Sequence, residues 1–142
     1  MGVVEHQERI IQVRTLIVED DFTSRILLQS FLSAYGECDI AVNGREAVEA
    51  FSSARERGQS YDLICMDIMM PEMEGHASVR AIRALEEATA TLSPNRVKII
   101  MATALDDGKN AIESMNELWD AYLVKPIHKK DLLDHIKDFH LV

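Results

Sequence analysis

Four places in the 142-residue chain carry side chains able to do chemistry together. Glu19, Asp20 and Asp21 follow the apolar run Thr15–Val18, and Asp67 follows Leu63–Met66. Thr103 follows Val97–Ala102, and Lys125-Pro126 follows Ala121–Val124. A carboxylate buried without a partner is costly, so Asp67 must be neutral, paired, metal-bound or at an exposed strand end. If the runs are neighbouring strands, the carboxylates meet at one edge and raise each other's pKa unless a cation intervenes. A hard divalent ion with oxygen ligands, most naturally Mg²⁺, removes that conflict. An aspartate beside Mg²⁺ and a lysine is a nucleophile toward a phosphoryl group, giving an aspartyl phosphate. Metal and ammonium offset charge on the transferring oxygens, and the Thr103 hydroxyl would sense the new group.

The elements that must position these residues are legible in the hydrophobic pattern. Short runs at Thr15–Val18, Asp39–Val42, Leu63–Met66, Val97–Ala102 and Ala121–Val124 lack polar alternation, as strands covered on both faces do. Between them, residues 24–35, 45–57, 75–90, 107–118 and 129–141 carry apolar residues at helical spacing. Thr23 or Ser24 can cap the first helix and Gly36 can end it, while Asn43-Gly44 turns into the second. The order is (βα)5, an α/β doubly wound fold with a five-stranded parallel sheet and helices on both faces. In such sheets, ligands bind beyond the carboxyl ends of the strands. Residues 1–13 are expected to be an N-terminal extension and 14–142 the domain.

Composition narrows the function classes. The net charge is −9 and Lys/Arg never exceed two in a row, which argues against nucleic acid or a membrane surface as partner. No apolar run is long enough for a membrane span. Cys38 and Cys65 sit in apolar segments as reduced thiols, consistent with a cytoplasmic protein. The histidines show no ligand spacing for zinc.

The segments LIVEDD (16–21), AVNGREAVEAF (41–51), MDIMMPEMEG (66–75), MATA (101–104) and YLVKPI (122–127) resemble, in order and spacing, the receiver domain of bacterial two-component response regulators. The likeness runs through residues 14–141 and is strongest to the single-domain chemotaxis-type members. It implies a flavodoxin-like fold and a phosphoacceptor that receives its phosphoryl group from a sensor histidine kinase or histidine phosphotransfer protein. By that resemblance Asp67 is the phosphoacceptor, Asp20 a direct Mg²⁺ ligand and Glu19 a ligand through water. The backbone carbonyl of Met69 is the third protein ligand, Lys125 pairs with the phosphate, and Thr103 and Tyr122 form the switch. Arg25, five residues after Asp20, favours this register and leaves Asp21 flanking. The Lys125–Pro126 bond is cis in the family.

Two departures stand out. Leu118-Trp119 replaces the usual Gly-Ala before the fifth strand, beside the face of fourth helix, fifth strand and fifth helix that relatives use for downstream partners. Trp119 either marks a partner or self-association surface, giving a monomer or weak homodimer, or folds onto the fourth helix. Met69 and Leu105 stand where the family tunes phosphate lifetime; both are apolar, so a long-lived phosphoryl group is expected. Three alternatives weigh less. A phosphatase of the haloacid dehalogenase type would need an acid where Met69 stands, and a nucleotide binder would need a phosphate loop after strand one. A degenerate receiver would lack some of the acids, Thr103 or Lys125. The chain has no room for an output domain, which leaves a stand-alone regulator, a relay intermediate or a piece of a larger protein.

Overall fold

The computed structural model describes residues 12–68, 75–89, 96–104 and 118–142. Strands β1 (Thr15–Val18), β2 (Cys38–Ala41), β3 (Leu63–Asp67), β4 (Lys98–Thr103) and β5 (Ala121–Val124) alternate with helices. These are α1 (Phe22–Leu32), α2 (Gly44–Glu56), α3 (Gly75–Ala88) and α4 (Lys129–Asp138). The helix expected over 107–118 falls outside the described residues apart from Leu118.

All strand pairs are parallel, in the order β2-β1-β3-β4-β5. The winding reverses between β1 and β3, the switch point where such sheets form a crevice. β1 and β3 are buried along their whole length, whereas the edge strands β2 and β5 are partly exposed. Successive residues of the central strands serve opposite faces. Leu16, Ile64, Ile99 and Met101 pack with α2 and α3, while Ile17, Leu63, Cys65 and Ile100 pack with α1 and α4. Both faces are therefore apolar, and the strands read as unbroken runs.

Element ends differ from the sequence expectations where side chains take backbone groups. Asp21, not Thr23 or Ser24, caps α1, accepting the Ser24 N–H at 2.8 Å, so the helix starts at Phe22. The α1 C-cap is Ser33, before Gly36. Gly36 has φ 155°, and a Cβ there would lie 2.3 Å from the Val13 carbonyl, so this position needs glycine. Val13 is itself buried and donates its N–H to the Tyr35 carbonyl, so the packed body includes the last residue of the expected extension. Val42 leaves β2 because its N–H goes to the Glu46 carboxylate, beside the Asn43 cap of α2.

At the opposite end of the sheet from the acids, Arg83 joins α3 to two strand starts. Its guanidinium donates to the carbonyls of Leu118 (2.8 Å) and Val97 (2.9 Å) and to the carboxylates of Glu86 (2.7 Å) and Asp120 (3.1 Å). Glu86 in turn accepts the Val97 N–H, and Asp120 accepts that of Ile99. The bonds at Val97 explain why β4 begins at Lys98. Sequence reasoning passed over this network, although Arg83 and Glu86 share a helical phase with Val79 and Ile82. Removing one partner of a buried ion pair costs ~3–5 kcal/mol. Arg83→Met is expected to lower the urea unfolding free energy by about that much, with Arg83→Lys recovering less than half. A loss below ~1 kcal/mol would mean the network holds little.

Candidate active site

Register brings the acids together. Val18 lies opposite Met66, so Glu19 and Asp67, the next residue on each strand, stand side by side. Glu19, Asp20 and Asp67 each offer a carboxylate oxygen, and these atoms lie within 4.8 Å of one another. Glu19 and Asp67 are buried and Asp20 is exposed. Lys125 reaches in from the end of β5, donating to Glu19 Oε1 at 2.9 Å and standing 3.4 Å from Asp67 Oδ2. Its backbone N–H donates to the Thr103 carbonyl at 2.7 Å, and the Lys125–Pro126 bond is cis, as the resemblance implies.

The three consecutive acids have separate surroundings. Asp21 is turned away to cap α1, and its bonds from Ser24 hold its carboxyl below the usual range. Glu19 Oε2 accepts the Asp21 N–H at 3.2 Å. Arg25 donates to the carbonyls of Glu19 (3.3 Å) and Asp20 (3.2 Å), fixing the turn that presents both. Arg25 served in the sequence only as a register marker; its role in holding these carbonyls depends on a helical return that spacing alone does not display.

Burial pushes Glu19 from 4.5 up to about 7, against the lowering effect of the Lys125 hydrogen bond and with a further rise from Asp67. For Lys125, burial lowers the pKa, but the bond from its ammonium to Glu19 and the charge of Asp67 outweigh it, so the group is raised overall. Three convergent oxygen donors with one ammonium are a donor set suited to a hard divalent cation, since further positive charge would relieve the crowded carboxylates.

Thr103 is buried at the end of β4, and its hydroxyl donates to the Ala104 carbonyl at 3.0 Å. Tyr122 stands 38% exposed on β5. Met69 and Leu105 lie outside the described residues. Of the two readings of Trp119, the inward one holds: it is 5% exposed and packed in the core on the α2/α3 face. The helix expected over 107–118, onto which it was expected to fold, lies outside the described residues apart from Leu118. Its ring stacks on His76 of α3, with centres 5.6 Å apart and planes at 17°. The apolar interior holds this ring more favourably than solvent does, so Trp119 is no exposed anchor for a partner.

The response regulator receiver domain family matches residues 15–137. The chain belongs to this family. The receiver domain is 33% identical over 126 residues to the regulatory protein VanRB of Enterococcus faecalis, covering 88% of this chain and 51% of that protein. It spans about half or less of the length of the first curated relatives it matches. Among solved structures, it is similar to the receiver domain of a sensor histidine kinase from Pseudomonas aeruginosa, which has magnesium coordinated in its active-site cleft. That likeness has TM-score 0.69 and 26% identity, covering 90% of this chain and 97% of that one. It is also similar to the receiver domain of the Saccharomyces cerevisiae response regulator Ssk1, co-crystallised with the histidine phosphotransfer protein Ypd1. Here the TM-score is 0.74 and identity 26%, covering 92% and 90% of the two chains. This receiver domain is a signalling module with the family's doubly wound fold, and no helix among the described residues is long and apolar enough to cross a membrane.

The raised Glu19 carboxyl has a stability consequence. A carboxyl with a folded pKa near 7 and an ordinary value of 4.5 favours the folded state below pH 4.5, and this contribution is lost as pH rises through about 7. With metal kept out by EDTA, the unfolding free energy of the wild type should fall relative to that of Glu19→Gln across this window. A difference that stayed flat or rose with pH in paired urea titrations would contradict the assignment.

Proposed function

We propose that Asp67 accepts a phosphoryl group from the phosphohistidine of a kinase or histidine phosphotransfer protein in the cytoplasm. The observation that carries this reading is the cluster itself, with three carboxylate oxygens within 4.8 Å and the Lys125 ammonium against two of the groups. The magnesium in the similar kinase receiver and the phosphotransfer partner of the similar yeast receiver support it. Asp20 directly, Glu19 through water, and Asp67 would hold Mg²⁺. Bound there, the ion supplies positive charge against the oxygens of the transferring group.

The chain's own residues perform the rest. A carboxylate oxygen of Asp67 attacks phosphorus as the phosphorus–nitrogen bond breaks. The electron pair leaves with the imidazole, which ends neutral because its second ring nitrogen already carries a proton or the leaving nitrogen takes one from water, and the product is an acyl phosphate. Lys125, already 3.4 Å from Asp67, offsets charge on the phosphoryl oxygens. Thr103, at the end of the neighbouring strand, gives up its bond to Ala104 to reach the new group, and the exposed Tyr122 turns inward.

A donor histidine must reach the sheet edge, so its protein covers the adjoining rim. There the start of α1 leaves Phe22 66% and Ile26 50% exposed, one turn apart and directly after the acids, with Arg25 over the Phe22 ring. This apolar step is the proposed donor-docking surface.

Incubation with acetyl phosphate and Mg²⁺ should add one phosphoryl group by intact mass, and neither EDTA treatment nor Asp67→Asn should permit it. A gain in the Asp67→Asn variant, or none in the wild type, would remove the reading of Asp67. Ile26→Glu should slow transfer from a phosphorylated histidine phosphotransfer protein about tenfold, equivalent to roughly 1.4 kcal/mol, and leave the acetyl phosphate rate unchanged. Equal slowing with both donors would place the effect in the site and not in docking.

A further inference from the structure

A short run of contacts joins the phosphoacceptor strand to the start of β5, and phosphoryl chemistry itself does not require it. The Asp67 carbonyl lies so close to Gly75 that a Cβ there would stand 2.8 Å away, with the Met101 methyl at 3.0 Å. The Gly75 N–H donates to the Ile68 carbonyl at 2.9 Å. The next residue, His76, stacks on Trp119. Trp119 in turn precedes Asp120, whose N–H donates to the Ile99 carbonyl at 2.9 Å and whose carboxylate accepts the Ile99 N–H. One residue later begins β5, which carries Tyr122 and leads to Lys125.

We propose that the His76–Trp119 stack is a positioning contact that ties the Asp67 end of β3, through the first turn of α3, to the start of β5, so that a change of state at Asp67 displaces Trp119. This rests on the reading of Asp67 as phosphoacceptor. Three features argue for it. The contact between Gly75 and β3 leaves no slack, so a shift of the strand end moves the first turn of α3. Two turns further along, Arg83 clamps the same helix to Leu118 and Asp120, confining the motion to the end that bears His76. The Trp119 ring is enclosed, and close-packed interiors answer displacement by repacking, not by gradual compression.

Trp119 is the sole tryptophan of the chain, so its emission reports this ring alone. Acetyl phosphate and Mg²⁺ would be added to the full chain, and emission and intact mass followed on the same samples. The wild type and His76→Phe, which keeps a stacking ring, should change emission in step with the mass gain. His76→Ala should gain the same mass with less than half the emission change; His76→Gln, of similar reach without a ring, replaces it if alanine does not fold. Mass gain with unaltered emission in the wild type, or a ringless variant responding in full, would overturn the coupling alone. No mass gain in the wild type would overturn the reading of Asp67 and the coupling with it.

Discussion

Carboxylates can be carried to the ends of buried strands only if a nearby charge offsets them, and Lys125 supplies that charge here. Its ammonium touches both Glu19 and Asp67, the two acids the sheet encloses, and leaves the exposed Asp20 to solvent. The balance is incomplete, because burial still holds the Glu19 pKa near 7. An incompletely neutralised cluster is a reactive one. It favours the arrival of further positive charge, and it keeps a carboxylate and an ammonium in contact before any phosphoryl group arrives.

This arrangement depends on the sheet. Parallel strands deliver all their carboxyl ends to one edge, and level register between β1 and β3 sets Glu19 beside Asp67. Apolar helices on both faces hold the strands in that register, since a slip would send every strand side chain to the opposite face and force both close-packed layers to repack. The acids can therefore be crowded without loosening the strands that bear them. At the far edge, Arg83 gathers the starts of β4 and β5 against α3. One end of the sheet is thus fixed by satisfied hydrogen bonds, and the other is poised by unbalanced charge.

What the sequence revealed follows from this division. The core strands were legible because burial on both faces writes an unmistakable apolar run, and the acids, Thr103 and Lys125 were legible because each interrupts or ends such a run. Helix ends were less so. Asp21 stands in a row of acids, and nothing in its type separates a cap from a ligand; only the backbone at Ser24 decides. Trp119 was ambiguous for another reason. An aromatic beside the face that the resemblance assigns to partners can be exposed or stacked inward, and the choice rests on His76, forty-three residues earlier. Arg83 was hidden because charge ordinarily marks a solvated face, and its partners include carbonyls that no side-chain pattern encodes.

Leu118 and Trp119, standing where the resemblance leads one to expect Gly-Ala, then take on a physical meaning. With small residues there, the start of β5 would be held to α3 mainly through the bonds of the Arg83 network. The indole adds a second attachment nearer the acids, on the first turn of α3, where Gly75 already meets the Asp67 carbonyl. Two attachments along one helix resist rotation as well as separation, so α3 and the start of β5 must move together or repack. A large side chain buried at this position stiffens the resting state and also gives a displacement at β3 a defined route to the strand that carries Tyr122 and leads to Lys125.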